Sequence, residues 1–150
     1  MHSLVSSPRA AIVDVMERHP DLTDQGFERP GRRGFDHHRA DMLHPFAVKQ
    51  FEYARAWLSA VPKRSAPNRD YGHSYGLKHV VEKWAGSYVS NGMLIAAALH
   101  LGLPIARCPS NINCWVGVAS RRKWPVRDAA LGGRTLGRVL IIAQMSGLGG

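Results

Sequence analysis

This chain has little cysteine, little negative charge in its second half, and no long apolar run. Cys108 and Cys114 are too few to frame a domain of this size with disulfides, so a reducing, cytoplasmic setting is expected. No stretch approaches the roughly 20 uninterrupted apolar residues of a membrane span. The longest, from Met93 to Leu101 and from Val139 to Ala143, fall well short, and no membrane association is expected. The N-terminal segment MHSLVSSPRAAIVDVMERHP meets Asp14 and Glu17 where a secretion signal would need an apolar core. After Asp70 the carboxylates are Glu82 and Asp128 alone, which leaves little to hold magnesium or to form paired catalytic acids. Walker, GxSxG and HExxH motifs are absent, so no catalytic residue, metal ligand or cofactor is assigned.

What is present suits one globular domain. The apolar fraction of 45% is ordinary, and 150 residues can bury roughly two-thirds of their unfolded surface. The formal net charge is +9, unevenly spread. Residues 1–70 carry eleven Lys/Arg against nine Asp/Glu, whereas residues 71–150 carry nine against two, a local excess of +7. A field of one sign there attracts nucleic acid or an acidic protein surface.

The helical signals are strong in places. Ser7-Pro8 is a cap followed by a proline at the first helical position, and Ile12, Val13, Val15 and Met16 supply apolar residues before His19-Pro20 ends the helix. Residues 21–44 (DLTDQGFERPGRRGFDHHRADMLH) show neither period and read as a long loop or partly ordered linker. On that reading residues 1–44 are a helix-and-loop appendage, and residues 45–150 are a single basic, mainly helical domain. From Pro45 to Val61, Ala47, Phe51, Ala54, Leu58 and Val61 recur on one face, which Phe46, Tyr53 and Trp57 widen. Ser74 is the expected cap of a helix carrying Leu77, Val80, Val81 and Trp84, with Lys78 and Glu82 paired on the other face and Gly86 at its end.

Asn91 is the expected cap of a helix from Met93 to Leu101 that is apolar nearly all round and therefore buried. Gly102 fits its left-handed end, and Pro104 blocks continuation. Alternation from Asn113 to Ala119 suggests a short strand, and residues 134–145 are read as a helix by length over a competing strand. The expected fold is mainly α with a short β element from Cys114 to Val118, three or four helices packing around the buried helix.

Four patterns carry possible chemistry. The two consecutive helices after Ser74 have helix–turn–helix spacing, but the second, MLIAAALHL, offers only His100 as a polar residue, so an αα-hairpin of the core fits better than a DNA-reading motif. Basic residues interleave with aromatics in two clusters. One holds Lys63, Arg64, Asn68, Arg69, Tyr71, His73 and Tyr75, and the other Arg121, Arg122, Lys123, Trp124 and Arg127. Phosphates favour Arg and Lys, and unpaired bases stack on Tyr and Trp. Lys78 and Lys83 add to this candidate nucleic-acid surface, although KH and RNP signatures are absent. Cys108 and Cys114, even with His73, His79 or His100, lack the tight pairing of a zinc site. His79 and Glu82 stand three apart on one helix face, as an acid–base pair or a surface pair.

The block Asn68-Arg69, SYGLKH from Ser74, Glu82, YVSNG from Tyr88 and IAAA from Ile95 resembles a group of small bacteriophage and mobile-element proteins of proteobacteria. The resemblance covers roughly residues 51–113. It implies a setting and no activity, and it marks residues 74–79 and 88–92. There, Ser90, Asn91 and Gly92 form a helix start that could cradle an anion or simply cap the helix. The function expected is a small basic binding protein of phage or mobile-element type, gripping nucleic acid or an acidic nucleic-acid-handling partner. The alternatives are an inhibitor or adaptor of a host system, docking through an apolar patch at Phe46, Tyr53 and Trp57, and a small enzyme using His79 and Glu82.

Overall fold

The computed structural model describes residues 7–125; Arg127 and the helix expected over 134–145 lie outside them. Five α-helices occur among the described residues: α1 (Pro8–Arg18), α2 (Phe35–Ala40), α3 (Pro45–Ala60), α4 (Ser74–Ala85) and α5 (Asn91–His100). Two antiparallel hairpins join them, β1 (Leu22–Thr23) with β2 (Gly26–Phe27), and β3 (Ile105–Arg107) with β4 (Cys114–Val116). The protein is mainly α with a short β element, as expected. Among the described residues, no helix is long and apolar enough to cross a membrane.

Helix α5 is the hub because it has no polar side to leave in water. Every residue from Asn91 to Ala98 is buried. Helix α3 packs most extensively on it, through Phe51, Ala54, Trp57 and Leu58, while α1, α4 and the β1–β2 hairpin cover the rest. At its C-terminus the N–H of Leu103 donates to the carbonyl of Ala98 at 3.0 Å, and that of Gly102 to Leu99 at 3.1 Å. With Gly102 at φ +73, this is the left-handed ending the sequence implied.

Residues 8–44 are neither an appendage nor a loop. Ala11, Ile12 and Val15 of α1 are buried in the same cluster as α5, and so are Leu22, Phe27 and Met42. What orders the segment is polar, so it leaves no hydrophobic period. The Arg39 guanidinium donates to the carbonyls of Met16 at 2.6 Å, Leu22 at 2.8 Å and His19 at 3.2 Å, closing the free end of α1. The buried carboxylate of Glu28 accepts from the Thr23 hydroxyl at 2.6 Å and pairs with His38 Nδ1 at 2.8 Å.

Three local expectations are corrected. Ser90, not Asn91, caps α5, its hydroxyl accepting from the Met93 N–H at 3.2 Å. Ser74 does not cap α4; it is buried, and its Oγ accepts from the Cys114 N–H at 3.1 Å, tying α4 to β4. Phe46 does not widen the apolar face of α3 but stands 74% exposed, while Trp57 is fully buried. Of the apolar docking patch expected around Phe46, Tyr53 and Trp57, Phe46 is thus exposed, Tyr53 half-buried and Trp57 buried.

Nor is the start of α5 open to an anion. The turn between β1 and β2 occupies it: the Gly92 N–H donates to Asp24 O at 2.9 Å, and Asn91 Nδ2 donates to Gln25 O at 2.9 Å. A Cβ on Gly92 would lie 1.9 Å from the Thr23 carbonyl oxygen, whereas one on Gly76 would meet nothing within 4 Å. Gly92→Ala is expected to cost about 3 kcal/mol and lower Tm by roughly 6–10 °C. Gly76→Ala, at a helical position with free space, is expected to stabilise by about 0.5–1 kcal/mol. Thermal denaturation of both variants checks the contrast; equal effects would contradict the packing of the hairpin on α5.

Candidate functional site

The two basic–aromatic clusters are distant in sequence and adjacent in space. Residues 62–73 run alongside residues 115–119, joined by Ala119 N–H to Pro62 O at 2.7 Å, Arg64 N–H to Gly117 O at 2.9 Å and Val116 N–H to Gly72 O at 2.8 Å. Asn68 holds this join. Its buried side chain accepts from the N–H groups of Asp70 and Tyr71, both at 3.0 Å, and donates to Val118 O at 2.9 Å. Asn68 is therefore structural, not a ligand contact.

A groove opens where the clusters meet the outer face of α4. Its larger part, about 410 Å³, is lined by His79, Lys83, Arg121 and Trp124. Its smaller part, about 230 Å³, is lined by Asp70, Tyr71 and His73, and the two share Gly76, Val80, Arg121 and Trp124. Trp124 forms a fixed wall. Its Nε1 donates to Ala119 O at 2.9 Å, and its ring meets Trp57 edge-on at 5.4 Å.

No protein-family model matches this chain, and no curated protein or solved structure is similar to it. The site is read from its own chemistry.

Not every predicted cation is free to meet a ligand. Lys78 is only 5% exposed, and its ammonium donates to Glu82 Oε2 at 3.0 Å. Arg69 lies over the Trp115 ring at 4.3 Å, with His73 edge-on to the same indole at 6.4 Å. Lys63 donates to Ser59 O at 2.9 Å near the end of α3. Arg107, outside the predicted set, is ion-paired with Asp21 and lies over Phe27. Lys83, Arg64, Arg121 and Arg122 are exposed, and the backbone of Lys123 completes the 3-10 turn begun by Arg121.

Beside the groove, Glu82 organises a compact cluster. Its Oε1 pairs with His79 Nδ1 at 2.9 Å, and its Oε2 takes the Val89 N–H at 3.2 Å as well as Lys78. Burial works against its charge, but the bond from Lys78, the Val89 N–H, the Lys78 charge and the His79 bond outweigh it and hold the carboxyl below its ordinary range. A carboxylate so engaged is a poor proton acceptor, and of the acid–base pair only His79 lines the groove. The Lys78 ammonium lies 4.6 Å from the ring centre of Tyr88 and 5.4 Å from that of Tyr75. Both rings are largely exposed, and Tyr75 meets His79 edge-on at 4.7 Å.

Two features escaped the sequence reading. A polar cavity of about 780 Å³ lies at the other basic region, lined by Glu28, Arg29, Arg32 and residues 109–112. A smaller one of about 160 Å³ brings Asp24, Asp41 and His44 beside Tyr88. Both thiols are buried and free, and burial pushes Cys114 up to about 12; among the described residues no group of three or more His, Cys, Asp or Glu side chains is placed to hold a metal ion.

Glu82→Gln leaves the Lys78 ammonium buried without a counter-charge and is expected to cost about 3 kcal/mol. Because the folded carboxyl titrates below its ordinary value of 4.5, this contribution is present above that pH and is lost as pH falls through the folded value. Urea unfolding of wild type and variant from neutral to strongly acidic pH checks this. A gap that stays constant throughout would contradict the pairing.

Proposed function

We propose that this protein binds nucleic acid through the groove between α4 and the Arg121 turn. The observation that carries this reading is the convergence of the two basic–aromatic clusters. Arg121 shares one cavity with Tyr71 and His73 and another with His79 and Lys83. Guanidinium and ammonium groups neutralise phosphates, and the aromatic walls offer faces to bases. The resemblance of the central block to phage and mobile-element proteins is compatible with such a partner and fits a small accessory binding protein.

Phosphate neutralisation makes affinity fall with salt, by about 0.7–0.9 in the log–log slope for each contact. In fluorescence anisotropy with a labelled oligonucleotide from 50 to 200 mM salt (about the physiological range), Arg121→Ala and Lys83→Ala are expected to weaken binding and flatten the slope by about one contact each. Arg18→Ala, which removes an exposed pair with Asp14, is expected to change neither. No binding to any oligonucleotide at the lowest salt contradicts the proposal.

A further inference from the structure

We infer that the groove, together with the tyrosine face beside it, takes unpaired strands in preference to duplex, with bases stacking on Tyr75 and Tyr88 outside the groove itself. This rests on the nucleic-acid reading of the groove and narrows it. Like Phe46 and Tyr71, two further large hydrophobic side chains are exposed, Tyr75 at 52% and Tyr88 at 60%. Neither ring is loose. One ammonium, Lys78, faces both, and because it lies 5.4 Å from one ring centre and 4.6 Å from the other, the centres are at most about 10 Å apart. Lys78 is itself fixed by Glu82, and Glu82 by the Val89 backbone next to Tyr88. The part-buried ion pair thus acts as a clamp beside two aromatic platforms, lowering the entropy they lose on taking a ligand.

A ring with a cation on one side keeps its other face for a partner with a π surface. An unpaired base supplies one, whereas duplex bases are already stacked on each other. The charges around the platforms agree. Tyr88 shares one cavity with Asp24 and Asp41, which repel phosphate, and another with Lys49, which accepts it, so a backbone is steered away from the carboxylates while the base meets the ring. Beside Tyr75, past His79, stand Lys83 and Arg121, which accept phosphate. The helix that a helix–turn–helix would place in a duplex groove, α5, is buried from Asn91 to Ala98. A strand crossing this face is thereby oriented, bases towards the tyrosines and phosphates towards the cations.

The test compares oligo-dT, oligo-U and a duplex of equal length in anisotropy titrations with wild type, Tyr75→Ala, Tyr88→Ala and Tyr75→Phe. Both rings are exposed, so the variants are expected to fold, and circular dichroism verifies it. Each alanine variant is expected to lose about tenfold in affinity for the single strands, with the phenylalanine variant close to wild type. Duplex is expected to bind more weakly than either single strand and to be indifferent to the tyrosines. If duplex binds as well as single strands, or the alanine variants bind like wild type while Arg121→Ala still weakens binding, the stacking inference fails and the nucleic-acid reading stands. Absence of all binding removes both.

Discussion

Helix α5 sets the terms for the rest of the molecule, because a helix with no polar side from Asn91 to Ala98 has to be covered in every direction. Helices α1, α3 and α4 cover its flanks, and the β1–β2 hairpin covers its beginning. That last contact requires a residue with no side chain at position 92, since the Thr23 carbonyl occupies the space a Cβ would need. A helix start that could have held an anion is consumed as a structural joint. The candidate site lies further out, against α4, which has one face in the core and one in water.

The elements held by apolar period and caps were legible in the sequence. Helices α1, α3, α4 and α5 fall within two residues of the expected bounds, and the ending at Gly102 has the geometry its neighbours implied. The elements held by polar joints were not. Residues 21–44 are ordered by Arg39 reaching three carbonyls and by Glu28 gripping Thr23 and His38. Such bonds need no recurrence along the chain, so a segment rich in Gly, Pro and Arg resembled a loop. The Ser74 hydroxyl misled for a related reason: a serine before a helix can cap it, or can serve a strand forty residues away.

The candidate site was half legible. Its residue types stood out as clusters, but their meeting depends on backbone pairing between residues 62–73 and 115–119, organised by Asn68, which composition does not reveal. Net charge also overstated the free cationic surface. Lys78 is neutralised by Glu82 and Arg107 by Asp21, and Arg69 leans on Trp115. What remains is a smaller and more directional arrangement in which two exposed tyrosines share one buried cation. The i, i+4 pair of Lys78 and Glu82, read along the sequence as lying on the face opposite the apolar one, is the support of that arrangement.

The proposed contact surface is tested most directly by where a strand touches the protein. Backbone amide spectra of isotope-labelled protein, recorded while oligo-dT is added at low salt, locate that contact residue by residue. The expected result is a set of shifts centred on Tyr75, His79, Lys83, Tyr88 and Arg121, with the buried amides of α5 unmoved. Shifts gathered instead around Arg29, Arg32 and the polar cavity they line, or no shifts at all, would contradict it.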